Sequence, residues 1–276
     1  PMSLQVRFLV DATGPRGFLH RALGLTEVPF DHLPGTQGLF THFSGVHRWE
    51  DMGLAAGNQE PPYAVDNAAV HHLFGGGWIW VLRFNNGITS AGVAASDAVA
   101  EEFRFGEGEP AWRRLLERLP TVQKQFGEAR AELPFIYSPR LSFRSSAVAG
   151  HRWALLPHAA GFIDPLLSTG FTLTLLGIAR LAGALERGLV GERFGEELES
   201  HARQTIQELL AAERLVAALY ASMNDFSVFA ELALLYFAAV SFSETARRLG
   251  RPELAASFLL HDHPVFGQRC REHCDQ

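Results

Sequence analysis

Trp153-Ala154-Leu155-Leu156-Pro157-His158-Ala159-Ala160-Gly161-Phe162-Ile163-Asp164-Pro165-Leu166-Leu167-Ser168-Thr169-Gly170 is the stretch on which the fold turns. It opens on an apolar strand pattern from Trp153 to Leu156 and passes through a tight loop of small residues. It ends where a long apolar helix begins near Thr169 and Gly170. The first N–H groups of a helix have no intrahelical partner and carry a partial positive charge, so a loop delivered to such a terminus suits an anionic group. Small residues let the backbone come close to it.

Upstream, Val6-Arg7-Phe8-Leu9-Val10 reads as a buried strand that ends in Asp11-Ala12-Thr13-Gly14-Pro15 and delivers an acid to a turn. A short helix over Phe18 to Leu23, closed by Gly24, follows. A parallel strand this early in a chain needs partners from elsewhere, which predicts a missing front half. Between Gly38 and Ser96 the pattern changes to successive strands: Leu39 to Trp49, Ala68 to Phe74, Trp78 to Phe84 and Ile88 to Ala94. Asn85-Asn86-Gly87 forms the hairpin turn between the last two, and the whole reads as an antiparallel sheet.

Helices over Asp97 to Phe105 and Glu109 to Leu119 come next, then strands over Leu141 to Ser145 and Trp153 to Leu156. From Gly170 the chain is helical almost to its end. Gly191 to Ser222 carries apolar residues at amphipathic spacing, and Ser241 with Glu244 is a capping-box pattern before a helix that Gly250 and Pro252 stop.

The chain has 276 residues, 47% of them hydrophobic and 20% charged, enough for a real core and too apolar for a disordered chain. Its net charge is -6 and Lys124 is its one lysine, so it lacks the basic patch of a nucleic-acid surface. The two cysteines, Cys270 and Cys274, form no disulfide framework, which fits a reducing cytoplasm. Pro1-Met2-Ser3-Leu4 does not read as a signal peptide. Phe171 to Leu185, interrupted by Arg180, is shorter than the roughly 20 residues of a membrane span and reads as a buried core helix, so no integral membrane segment is expected.

Ala159-Ala160-Gly161-Phe162-Ile163-Asp164-Pro165 followed by Ser168-Thr169-Gly170 closely resembles the second flavin-binding motif of FAD-dependent monooxygenases and flavin-dependent halogenases. Phe8-Leu9-Val10-Asp11-Ala12-Thr13-Gly14-Pro15-Arg16-Gly17-Phe18-Leu19 is similar to the strand that returns to that family's nucleotide-binding sheet. Gly77-Trp78-Ile79-Trp80-Val81-Leu82-Arg83 looks like the halogenases' tryptophan signature. The three agree in order and spacing and cover the chain from its first strand to about residue 187.

The resemblance implies a mixed α/β and α+β fold: an incomplete Rossmann-type FAD-binding part, an antiparallel-sheet substrate domain and C-terminal helices. Residues 1–35 and 140–190 would be the remainder of the FAD-binding domain, 36–139 the substrate domain and 191–276 the helical region. It also implies that Asp164 and Pro165 shape the loop beside FAD, and that the amides around Ser168, Thr169 and Gly170 face the isoalloxazine edge. In halogenases that Thr-Gly pair also lies beside the halide. Asp11 and Gly14 would stand at the nucleotide side, and His158, Ala160 and Gly161 would line the cofactor's path.

The sequence also departs from that family. Pro157-His158 replaces the family's Gly-Asp, whose aspartate holds the ribityl chain, and an imidazole is no carboxylate acceptor. Leu167 stands where tryptophan halogenases have glutamate, and their signature ends Ile-Pro where this one ends Leu82-Arg83. Lys124 lies in the wrong segment to act as the family's relay lysine. No Gly-x-Gly-x-x-Gly occurs in these residues, so the resemblance implies the C-terminal portion of a flavoprotein, not active alone.

Other candidates read more plainly. Trp78 and Trp80 face one side of a strand, either packing the sheet's core, which strand aromatics favour, or walling a substrate pocket. His71 and His72 point to opposite faces and do not ligate together. His261, His263, Cys270, His273 and Cys274 cluster near the end, where a frayed tail is the simpler reading than a metal site. Glu101-Glu102 lies on a solvated helix face, and no general acid or base stands out. Phe226 to Val240 either closes a pocket or buries a dimer surface.

The expectation is therefore an FAD-dependent oxidoreductase of the halogenase-like monooxygenase group. It would act on a small aromatic or apolar substrate, with a separate flavin reductase and self-association into a homodimer as further partners. A divergent halogenase and a non-catalytic flavoenzyme remnant are the alternatives.

Overall fold

A computed structural model describes residues 5–53, 62–188 and 192–275, so Pro1 to Leu4 and Gly191 of the readings above lie outside the described residues. The chain divides into two compact units, Pro1–Leu33 with Ser142–Gln276, and Pro34–Leu141.

The first unit begins with strand β1 (Leu9–Asp11) and helix α1 (Phe18–Ala22). The second unit is built on a six-stranded sheet. Its strands are β2 (Thr36–Ser44), β3 (Val70–Phe74), β4 (Gly77–Arg83), β5 (Thr89–Ser96), β6 (Arg130–Ala131) and β7 (Ile136–Ser138). They run in the order β3-β4-β5-β2-β6, with β7 also paired to β2, and every pair is antiparallel. Period-2 alternation decides which side chains are buried. Leu39, Phe43, Ile79, Val81, Ala91, Val93 and Ala95 all enter one core cluster.

Three helices join that core: α2 (Asp97–Phe103), α3 (Glu109–Glu117) and α4 (Pro120–Gln125). Phe43 is its centre, with ring centroids 5.7 Å from Trp112, 5.2 Å from Phe126 and 5.8 Å from Phe135. Trp78 and Trp80 do not belong to this cluster. They alternate with Ile79 and so stand on the sheet's other face, beside Phe40 and His71. Strand pairing ends at Ser44, not Trp49, because Gly45 turns the chain through φ 70.

The chain then re-enters the first unit through β8 (Phe143–Arg144), β9 (Ala149–Gly150) and β10 (Trp153–Leu155). A one-turn helix α5 (Pro157–Ala160) and strand β11 (Gly161–Phe162) follow, where the sequence reads as a plain loop. Pro157 supplies the fixed φ that starts a helix. Strand β1 runs parallel to β10, pairing Leu9 with Trp153 and Asp11 with Leu155, and β9 flanks β10 antiparallel. The parallel partner expected from elsewhere is thus supplied, on one side, by this chain's own Trp153–Leu155.

Helices α6 (Thr169–Arg187), α7 (Glu192–Ala221), α8 (Phe226–Arg248) and α9 (Phe266–Asp275) complete the unit. Ala154, Leu181, Ala184, Phe194 and Leu198 form one cluster, and Leu19, Val148, Leu155, Ala159 and Ala160 another. Arg180 of α6 donates two hydrogen bonds, 2.9 and 2.7 Å, to the buried Glu208 of α7. Glu208 also accepts from the Phe258 amide.

Three expectations are corrected in this unit. Ser241 and Glu244 lie inside α8, whose true N-cap is Asp225, accepting from the Ser227 and Val228 amides; Glu244 instead pairs with Arg248. The C-terminal segment is not a frayed tail. It forms α9, tied back by Arg214 to Asp275 and by Arg271 to the His261 carbonyl. Phe171 to Leu185 is only half a core helix, since Phe171 is 73% exposed and Leu175 and Ile178 lie on the same open side. By length and composition alone, Leu166–Arg187 and Phe226–Arg248 are each apolar enough to cross a membrane; only a third of the first window and less of the second is buried. Such helices are weak evidence of insertion.

Candidate functional site

The loop between β11 and α6 is held from within. Asp164, 1% exposed, accepts from the Leu166 amide at 2.9 Å through Oδ1 and from the Tyr220 hydroxyl at 2.8 Å through Oδ2. Leu167 (φ 57, ψ 13) and Ser168 (φ 53, ψ 32) then turn left-handed in succession, although neither is glycine. Each such residue costs about 1–2 kcal/mol, so the surroundings must over-determine the turn. They do so in two ways. Ser168 N donates to the Pro165 carbonyl at 3.0 Å, and the Tyr236 hydroxyl donates to the Leu167 carbonyl at 2.8 Å. Burial pushes the Tyr236 hydroxyl up in pKa, so it stays a donor at neutral pH, and Thr172 hydrogen-bonds to it.

The turn ends by presenting the first turn of α6. Ser168 is the N-cap and is exposed, yet its side chain makes no capping hydrogen bond. Thr169 is buried, and a side chain on Gly170 would meet only the Phe162 ring, at 4.0 Å. The backbone at Gly170 is thus free of a crowding side chain, in the helical turn whose first amides have no intrahelical partner. Pro165 is half-buried, Ala160 fully buried, and Gly161 lies in β11, where a Cβ would strike Leu209 at 2.7 Å. His158 stacks on Phe162 with ring centroids 5.2 Å apart and planes 9° apart, and burial lowers its pKa, leaving it neutral.

Asp11 does a similar job in the other motif. Its Oδ1 accepts from the Thr13 amide (2.8 Å) and hydroxyl (2.6 Å), and its Oδ2 from the Leu19 amide (2.6 Å). Burial raises the carboxyl pKa, but those hydrogen bonds, with Arg21 nearby, outweigh it and hold Asp11 below the usual carboxylate range. Gly14 is left-handed at φ 83 with open space around it. Both aspartates of the sequence motifs thus accept from backbone amides of their own turns, Asp11 also from the Thr13 hydroxyl and Asp164 also from the Tyr220 hydroxyl.

In the second unit Trp78 is 1% exposed and Trp80 partly so. His71 lies 4.8 Å from Trp78, and burial, with His72 as a second cause, drops its pKa to about 4. His72 instead hydrogen-bonds the buried Gln125 at 2.8 Å, so the two imidazoles part to opposite faces. In the first unit, burial pushes the Cys274 thiol up to about 12, and no group of three His, Cys, Asp or Glu among the described residues has the geometry of a metal site.

Sequence reading missed Tyr220 and Tyr236, which lie 56 and 69 residues from the groups they hold. The available signal was a hydroxyl set in the apolar faces of α7 and α8, since a buried tyrosine needs a partner.

Two linked units of this form, with a flavin-type loop feeding the start of α6, define a homologue of the FAD-dependent oxidoreductases of the halogenase-like group. Within that class the chain is homologous to the flavin-dependent halogenases. It is 33% identical over 215 residues to tetracycline 7-halogenase of Kitasatospora aureofaciens, covering 75% of this chain and 39% of that protein. It is 29% identical over 280 residues to monodechloroaminopyrrolnitrin halogenase PrnC of Pseudomonas fluorescens, covering 96% of this chain and 49% of that one. Its structure matches that of halogenase PltM with a TM-score of 0.80 at 26% identity, over 97% of this chain and 58% of PltM. PltM has also been solved with phloroglucinol and FAD. The chain spans half or less of the length of these two curated relatives, and no protein-family model matches it.

Proposed function

We propose that this chain carries the flavin-loop and substrate-side portion of a flavin-dependent, halogenase-type oxidoreductase that acts on a small aromatic molecule. The carrying observation is the start of α6 beneath a turn fixed by Asp164, in a chain homologous to halogenases. FAD fits the chemistry of this place: a helix start whose N-cap side chain makes no capping hydrogen bond suits the isoalloxazine edge where negative charge gathers on reduction, and Gly170 has no Cβ to hinder close approach of its backbone. When bound and reduced, FAD would supply the activation of oxygen.

The chain's own residues would bind and orient. Ser168, Thr169 and Gly170 would present amides to the ring, Asp164 and Pro165 would keep the turn in shape, and Asp11 and Gly14 would shape the nucleotide side. His158, with Ala160 and Gly161, would line the ribityl path, a neutral imidazole donating or accepting one hydrogen bond where the family's carboxylate accepts. The face of the sheet bearing Trp78 and Trp80 would form an apolar wall for an aromatic substrate. The residues before and after these motifs in the relatives would supply the rest of the nucleotide site, and a flavin reductase the electrons.

Titration of the chain with FAD, followed by flavin fluorescence, tests the reading. Saturable quenching that tightens in His158→Asp supports it, and no quenching by either protein sinks it. Halide dependence of product mass, with reductase and a phenol panel, separates halogenation from oxygenation. A colourless full-length protein that still self-associates would instead be the non-catalytic remnant, the reading that Pro157-His158 and the lack of a Gly-x-Gly-x-x-Gly in these residues favour.

A further inference from the structure

Two tyrosines from the C-terminal helices converge on one seven-residue turn of the same unit, and the backbone they hold is the part least able to hold itself. Tyr220, in the last turn of α7, reaches Asp164, and Tyr236, in the middle of α8, reaches the Leu167 carbonyl. Their rings are buried, at 6% and 7% exposure, so each hydroxyl is aimed by packing and not by chance solvation. The Tyr236 hydroxyl sits between Leu167 and Thr172, and so links the residue before the helix to the first turn of α6 itself. Leu167 and Ser168 are left-handed without being glycine, and the direction of the Thr169 and Gly170 amides follows from those two residues.

We propose that Tyr236, supported by Tyr220 through Asp164, is a positioning residue for the flavin: it holds Leu167 left-handed and so aims the amides at the start of α6. This rests on the assignment of that helix start to FAD. Helices α7 and α8 thereby do more than close the unit. Loosening the Tyr236 contact would let Leu167 relax to an ordinary backbone conformation and swing the amides away from where the ring's negative charge gathers. The carbonyl, the hydroxyl and the strained residue form one device, and replacing Leu167 by glycine should make the hydroxyl dispensable, because glycine adopts this conformation without a Cβ clash.

Hydrogen exchange of the Leu166 and Ser168 amides, which donate to Asp164 and to the Pro165 carbonyl, is measured without flavin on the full chain, together with FAD affinity by fluorescence quenching. The proteins are wild type, Tyr236→Phe, Tyr220→Phe and Tyr236→Phe with Leu167→Gly, each checked for folding by circular dichroism. Tyr236→Phe removes one oxygen atom. It should speed exchange and weaken FAD binding by about tenfold each, the size of a lost hydrogen bond. Tyr220→Phe should act in the same direction by less, and the double variant should recover most of both. Unchanged exchange in Tyr236→Phe overturns the proposal, and so does a loss of FAD affinity that Leu167→Gly does not restore. If wild type binds no FAD at all, the flavin assignment fails and takes the flavin role of Tyr236 with it. The exchange data then still decide whether Tyr236 holds the turn, so the two failures are told apart.

Discussion

The sheet of the second unit and the turn before α6 use glycine in opposite ways. Gly92 lies in the middle of β5, in an ordinary strand, where a Cβ would stand 2.3 Å from that of Phe40 and 2.5 Å from the Trp80 ring. Glycine is there because no space is left. At the turn, Leu167 and Ser168 take the conformation that only glycine adopts freely, and a larger residue is kept at both places. The sheet is therefore held by shape and burial, which every residue on one face shares. The turn is held against local preference by a few buried polar contacts from distant helices. Functional sites characteristically concentrate such strain.

The largest expected effect lies in the sheet. Leu39 is wholly buried among Phe43, Val93 and Ile79, so Leu39→Ala should cost about 3–4 kcal/mol in denaturant unfolding, lost transfer energy plus a cavity. A cost below about 1 kcal/mol would mean the core collapses around the gap and is not held by shape, which breaks the contrast.

Next comes an acid-dependent loss in the same sheet. His71 is held neutral, with its pKa at about 4 against 6.5 unfolded. Its contribution is complete above pH 6.5 and is lost as the pH falls toward 4, because the unfolded chain takes up the proton first. The loss should reach about 2–3 kcal/mol across that window. Stability measured against pH in His71→Phe should fall less steeply than in wild type. Parallel curves would show that the imidazole is not desolvated against Trp78.

At the turn, Asp164→Ala removes the acceptor of the Leu166 amide and the Tyr220 hydroxyl in a buried site, and should cost about 2 kcal/mol. Less apolar volume is lost than at Leu39, and the cost comes from donors stripped of this acceptor. A neutral outcome would show that the polar contacts do not hold the turn.

These differences explain what was legible in the sequence. The strands of the sheet were readable because alternation is local: Trp78 to Phe84 and Ile88 to Ala94 read within two residues of their observed bounds. The Asp164 to Gly170 turn was readable as a motif and as a helix start, but not in its backbone, since a left-handed leucine has no sequence mark. Tyr220 and Tyr236 act across more than fifty residues, beyond any periodicity. Ser241 with Glu244 misled for a related reason: the capping pattern is local, while the length of α8 is decided by packing of its buried Phe229, Leu232, Tyr236 and Ala239. The faces of Trp78 and Trp80 followed from alternation, yet only the structure set them opposite the cluster of Ile79 and Val81.

The smallest effect is the most telling, because its sign is reversed. Ser168 is exposed, its side chain makes no capping hydrogen bond, and its φ is 53. Ser168→Gly removes a left-handed penalty of about 1–2 kcal/mol and adds about 0.5–1 kcal/mol of backbone entropy to the unfolded chain. The net should be a stabilisation of up to about 1 kcal/mol, read as a higher denaturant midpoint with an unchanged slope. In the sheet a change to glycine can only lose packing; at the turn it should relieve strain that the tyrosines otherwise contain. If Ser168→Gly instead destabilises, the left-handed turn is intrinsically favourable in its surroundings, and the strain read from its backbone is not a force that Tyr236 has to oppose.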